Sequence, residues 1–217
     1  MAKVLRFLFL FILLSCFASR VLSQETEQAT ISKVNAFIDS LKSNNISKIG
    51  FKKDYCVGCI QWVHIDSNGR ASFKCDMYFT LYLFWQNREK GYIKKFDACG
   101  PSNEVIIDPI EVFEYPDKYA GKMKKEELKP FSSWEKNPNG DSTLVDSYID
   151  HWGHCDLLFL DKQDSIFRDI DFYSLVKEFN GTQNLNYSEN KRLKIVEWEE
   201  RLSNIISKLE KEEKFKR

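Results

Sequence analysis

Residues 77–85 read Met-Tyr-Phe-Thr-Leu-Tyr-Leu-Phe-Trp, a run in which only Thr80 is neither aliphatic nor aromatic. A strand with one wet face alternates apolar and polar side chains, so a strand without alternation must be covered on both faces. Its aromatic content fits a pleated, buried surface. The polar stretch 87–91 and a second apolar run over 92–96 follow directly. Together they predict a hairpin whose first strand lies at the centre of a sheet with cover above and below.

The remaining periodicities say what the cover is. From Thr30, Ile31, Val34, Ile38 and Leu41 recur at helical spacing and stop at Ser43-Asn44-Asn45. Near the other end, Ser188 offers an N-cap, and Ile195, Trp198, Leu202, Ile205, Ile206 and Leu209 form one wide stripe. The last eight residues, Glu-Lys-Glu-Glu-Lys-Phe-Lys-Arg, are expected to fray into water. A first hairpin is expected over 60–65 and 71–75, turning at Asn68-Gly69. Further short strands are expected at 105–107, 144–149, 157–160 and 166–170. Residues 122–129 are expected to be a solvated helix and 132–142 a loop. The sum is an α+β fold: a mostly antiparallel sheet of six to eight strands flanked by an N-terminal and a long C-terminal helix.

Residues 1–23 are a separate matter. Lys3 and Arg6 precede an uncharged run over 7–18 that ends at Ser19-Arg20, and Val21 and Ser23 fit a signal-peptidase site. About 20 apolar residues are needed to span a bilayer, and this run falls short. The reading is a cleaved signal peptide over 1–23 and a single domain over 24–217, with no stable transmembrane segment after cleavage and a secreted or periplasmic address. The alternative is a lipoprotein anchored through Cys16, since Leu13-Leu14-Ser15-Cys16 has the form of a lipobox. Cleavage removes Lys3, Arg6 and Arg20 and no acid, which leaves 29 basic against 32 acidic side chains. That balance gives no electrostatic footprint for nucleic acid.

Five cysteines follow the signal segment: Cys56, Cys59, Cys75, Cys99 and Cys155. Export favours disulfides, and the odd count leaves one thiol over. Cys56, Cys59 and Cys99 are the disulfide candidates, with a staple expected between the Cys56/Cys59 turn and Cys99. Cys56-Val57-Gly58-Cys59 lacks the following helix that a thioredoxin-like centre needs to stabilise a thiolate, and Ile60 stands where covalent haem attachment requires histidine. Zinc is the remaining use of such a turn. His151-Trp152-Gly153-His154-Cys155 would supply the missing ligands, giving Cys56, Cys59, His151 and His154 as a tetrahedral set. Asp146, Asp150 and Asp156 flank those histidines, but no metalloprotease spacing, nucleophile elbow or phosphate-binding glycine loop occurs.

Trp62, Tyr82, Trp85 and Tyr92 are candidates for a binding surface, because aromatic residues on neighbouring strands can form a platform; the same residues also make good core. The Cys-x-x-Cys turn, Tyr82-Leu83-Phe84-Trp85, Gly91-Tyr92-Ile93-Lys94-Lys95-Phe96-Asp97 and the stretch 125–131 resemble a group of small, uncharacterised exported proteins from flavobacterium-type bacteria. That resemblance implies an envelope or extracellular address and brings no activity, ligand or catalytic residue. The functional expectation is a non-catalytic exported binding or accessory protein without a cofactor, stabilised by disulfide, whose partner is a protein or an envelope component. The alternative is a metal-dependent protein, structural zinc or hydrolase, at the four-ligand set. A third class would use an exposed Trp198, Leu202 and Ile205 stripe to pair with a partner.

Overall fold

The computed structural model describes residues 27–58, 64–65, 71–72, 75, 79–149, 151–162 and 164–217. Residues 1–23, Cys59, Trp62 and Asp150 lie outside the described residues. The chain forms α1 (Glu27–Ser43), β1 (Ile49–Cys56), β2 (His64–Ile65), β3 (Ala71–Ser72), β4 (Phe79–Asn87), β5 (Lys90–Asp97), β6 (Gly100–Ile107) and α2 (Pro109–Met123). It continues through β7 (Phe131–Lys136), β8 (Ser142–Ser147), β9 (Gly153–Asp161), β10 (Asp164–Asp171), a 3₁₀ turn (Phe172–Leu175), β11 (Glu178–Phe179), β12 (Thr182–Gln183), α3 (Tyr187–Asn190) and α4 (Lys194–Lys211). The main sheet has six strands, all antiparallel, in the order β10-β9-β1-β4-β5-β6, and the fold is α+β as expected.

Seven consecutive residues of β4, Phe79 to Trp85, are buried. Even-numbered side chains such as Tyr82 and Phe84 face a core shared with α2 and α4. Odd-numbered ones, Leu81, Leu83 and Trp85, face a second core shared with Val34, Ile38 and Leu41 of α1. The sheet is thus the middle of three layers. Gly50 of β1 lies opposite Phe84 in the ladder, and a Cβ there would fall 2.1 Å from the Phe84 ring, so only glycine lets the ring lie across β1.

On the second face, Trp198 of α4 is fully buried and meets Phe84 and Phe159 edge-on, with ring centroids 6.2 and 6.1 Å away. Its indole N–H donates to the Val112 carbonyl of α2 at 3.3 Å, which ties the two helices together over the sheet. Ile195, Leu202 and Ile206 are buried along the same stripe. The stripe is docked on the core, which removes the expectation that it pairs with a partner.

Several elements differ from expectation. Residues 49–56 form a central strand. The helix expected at 122–129 instead ends at Met123, because Asp108 caps Ile110 N–H at 2.9 Å and Pro109 starts the helix well upstream. Part of the loop expected at 132–142 is β7, paired with β8 as a hairpin outside the main sheet. The C-terminal helix starts at Lys194, after the separate turn α3, rather than at Ser188. The tail does not fray: the Lys216 carbonyl accepts from Asn103 N–H at 2.7 Å, Phe215 packs on Tyr82, and Arg217 forms a two-oxygen ion pair with the fully buried Asp97. Among the described residues no helix is long and apolar enough to cross a membrane.

Candidate functional site

Of the expected zinc set, Cys59 lies outside the described residues, and Cys56, His151 and His154 do not form a ligand cluster among those described. The ladder does bring the end of β1 to the start of β9, pairing Cys56 with Gly153 and Tyr55 with His154. His154 and Tyr55 share a face and stack at 5.4 Å, and alternation places Cys56 on the other face. Cys56 is disulfide-bonded, so its sulfur is not a thiolate ligand, and His151 is exposed in the loop before β9. Cys99 is oxidised as well, but its partner is Cys75 rather than the Cys56/Cys59 turn. The β5–β6 hairpin places Cys99 at its tip, where the Cys75 carbonyl accepts from Ala98 N–H at 3.1 Å and holds the two segments together.

Of the binding-surface candidates, Trp62 lies outside the described residues and the other three do not form an open platform. Tyr82 and Trp85 are buried on opposite faces of β4, and Tyr92 is half-buried and stacked on Trp85 at 5.4 Å. The same apolar content on both faces that defines a central strand removes these rings from solvent.

Around His154, the sheet gathers a titratable group on its partly open face. Tyr55 donates to Asp156 at 3.3 Å, Lys53 lies 3.9 Å from the other Asp156 oxygen, and His154 Nδ1 is 3.7 Å from Asp169. Burial, together with the neighbouring Asp169, raises the Asp156 carboxyl above its ordinary range despite the opposing pull of Lys53. Burial and the same acids push the Tyr55 hydroxyl up as well, so it stays a proton donor. No cavity encloses these groups among the described pockets.

On the covered face lies a second group that the sequence reading missed. Lys52 of β1, only 2% exposed, makes ion pairs with Asp54 on its own strand and with the buried Glu199 of α4, the latter at 3.3 Å. Ser203 donates to the same Glu199 oxygen at 2.6 Å, and Cys155 of β9 lies opposite Asp54. Burial pulls the Lys52 pKa down, but the carboxylates of Asp54 and Glu199 help to outweigh it and the net shift is upward. Burial holds the Cys155 thiol far above its usual range, so it is neutral and a poor nucleophile. Asp54, Cys155 and Glu199 bring ligand atoms within 4.8 Å of one another, yet Lys52 already supplies the cation at that point. The donor set suits an internal ammonium, not a metal ion. Cys75, Asp97 and Cys99 also cluster, but the two sulfurs are joined as a disulfide.

The feature with the shape of a binding site is elsewhere. Between the edge strand β6 and the outer side of α4 runs a cleft of about 760 Å³. Its apolar wall comes from Val105 and Ile107 of β6 and Ile205 and Leu209 of α4, all partly buried against the core. Ile106, 64% exposed, stands at its border. The edge strand exists because residues 105–107 are branched and apolar, and the cleft lies between that edge and the later turns of α4. Apolar residues at 105–107, 205 and 209 were each visible in the sequence; their convergence was not.

An antiparallel six-stranded sheet between helices, with Lys52 paired internally to Asp54 and Glu199 and a part-apolar cleft along one edge, is the class of fold and site this chain presents. No known protein family, curated protein or solved structure matches it.

Proposed function

We propose that this chain is an exported, non-catalytic binding protein, and that the cleft between β6 and α4 receives its partner, a protein or envelope component. The observation that carries the reading is the cleft itself: about 760 Å³ of part-apolar space along a sheet edge. It is within the range of volumes used by ligand sites. The export address rests on residues 1–23, and the disulfide Cys75–Cys99 is compatible with an oxidising compartment. The catalytic alternatives lose support in the same geometry. The Cys155 thiol is neutral and buried, Lys52 is consumed by Asp54 and Glu199, and the Tyr55/His154/Asp156 group lines none of the four clefts found among the described residues.

The test is site-specific photocrosslinking in the producing cell. A benzoylphenylalanine replacing exposed Ile106 at the cleft is compared with one replacing exposed Phe167 on the opposite edge strand. The reading expects a defined adduct from position 106 only, in the exported fraction. Adducts from both positions alike, or from neither, would refute the cleft as the site.

A further inference from the structure

The six-stranded sheet has two edges, and they are protected differently. Edge strand β10 carries Asp164, Arg168, Asp169 and Asp171, and Arg168 reaches across to the Lys124 carbonyl. Charges of this kind deter a foreign strand. In β6 the first half contains Pro101 and is covered by the chain's own tail, but the second half, Val105-Ile106-Ile107, has neither charge nor cover.

The tail shows how this edge is used. Asn103 N–H points away from β5 and donates to the Lys216 carbonyl at 2.7 Å. Past the bulge opposite Lys95, the ladder directs the N–H and C=O groups of Val105 and Ile107 to Ile93 and Gly91 of β5 and turns those of Glu104 and Ile106 outward. Among the described residues no further backbone hydrogen bond is made along that edge. From Glu104 to Asp108 the open stretch runs ~14 Å, at ~3.4 Å per residue. Alternate side chains of a strand laid there would fall on Val105, Ile107, Ile205 and Leu209, the wall of the cleft.

Charge selects among occupants. Glu104, Asp108, Glu111 and Glu212 line the cleft against Lys208 and Lys214, a majority of negative charge. A second copy of this chain, pairing its β6 antiparallel about Ile106, would set Glu104 opposite Asp108 at both ends of the new ladder. Like charges directly opposed are destabilising. A segment with lysine or arginine at its ends meets the opposite situation.

We propose that the β6 edge takes up an extended peptide segment of a partner protein as a seventh strand, apolar on the face toward α4 and flanked by basic residues. This rests on the reading of the cleft as the binding site and adds the occupant's chemistry and its mode of attachment, β-augmentation.

The probe is the peptide acetyl-Lys-Lys-Val-Thr-Val-Thr-Val-Lys-Lys-amide, titrated into the full exported chain while amide exchange is followed by NMR. Expected are saturable binding, slowed exchange at Glu104 and Ile106, and at least tenfold weaker binding both for the peptide N-methylated at its three valines and for the peptide with glutamate in place of its lysines. Ile106→Pro removes one outward N–H, a change an edge strand tolerates, and is expected to cost at least tenfold in affinity with the thermal transition retained. If that variant does not fold, the N-methylated peptide decides alone. The proposal is overturned if the parent peptide does not bind, if the N-methylated peptide binds equally well, or if the chain instead self-associates through β6 in sedimentation. An adduct at Ile106 together with any of these results would retain the cleft as a binding site and eliminate only strand addition.

Discussion

Lys52 Nζ lies 3.3 Å from Glu199 Oε1, and this contact joins the middle of the central strand to the middle of the last helix. With Asp54 beside it, the ammonium balances two carboxylates in a site where Lys52 and Glu199 side chains are only 3% and 7% exposed. Lys52→Met leaves Glu199 buried without its cation, and breaking such a pair costs about 3–5 kcal/mol. The double variant Lys52→Met/Glu199→Gln removes both charges and is expected to recover at least half of that loss. Urea unfolding of the two variants and the parent checks this; equal losses in single and double variants would show that packing, not charge, is what the site supplies.

Asp156 gives a pH dependence of the opposite kind. Burial first, then Asp169, raise its folded pKa, so the folded state holds this proton more tightly than the unfolded chain. Stability from this group is therefore fully present below the unfolded value and is lost as pH rises through the raised folded value. Asp156→Asn keeps an acceptor for the Tyr55 hydroxyl and removes the ionisation. The expected result is a melting temperature higher by about 1 °C at pH 7, because the half-open site is screened, and no gain below about pH 3.5. Scanning calorimetry at the two pH values measures both ends of the window.

How much of this was legible depended on whether a feature lay within one element. The central strand announces itself because apolar side chains occupy both faces of 79–85, and α1 and α4 do so through 3.6-residue stripes. By contrast β1 reads Ile-Gly-Phe-Lys-Lys-Asp-Tyr-Cys, and three consecutive charges argue against the interior. Only Glu199, supplied from the far end of the chain, makes Lys52 acceptable there. The tail is the same case, since its charged composition signals solvent until Asp97 is seen to be fully buried beneath Arg217. The candidate aromatic platform failed for the reverse reason: Tyr82 and Trp85 belong to the most legible strand, and that legibility is the mark of burial. The cleft required two separate elements to be placed side by side, which no local pattern encodes.

The Asp97–Arg217 pair makes the last residue of the chain a structural part. Asp97 is fully buried and also accepts Cys99 N–H at 2.9 Å, with Lys95 3.8 Å away. Arg217→Ala removes the guanidinium from the carboxylate but leaves these two groups, and Arg217 itself is 40% exposed, so the expected loss is moderate, about 1–2 kcal/mol. Asp97→Asn in the Arg217→Ala background should restore part of it. Denaturant midpoints of the parent and the two variants decide whether the tail is anchored by this pair or by Phe215 alone.

Cys155 is the free cysteine among the described residues, and it is fully buried between β1 and β10. Burial raises its pKa first and most, and the adjacent Asp54 and Glu199 raise it further against the opposing effect of Lys52. Alkylation needs thiolate and access, and the native site denies both. The expected outcome is that iodoacetamide at pH 8 leaves the native protein unmodified for hours and labels Cys155 at once in 6 M guanidinium. Reduction is a separate perturbation: opening Cys75–Cys99, which spans 24 residues, is expected to lower stability by about 3.5 kcal/mol on loop entropy. Peptide mass mapping locates the alkylated residue. Rapid native labelling of Cys155 without reductant would show that α4 lifts from the sheet, and the Lys52–Glu199 contact would then have to be transient.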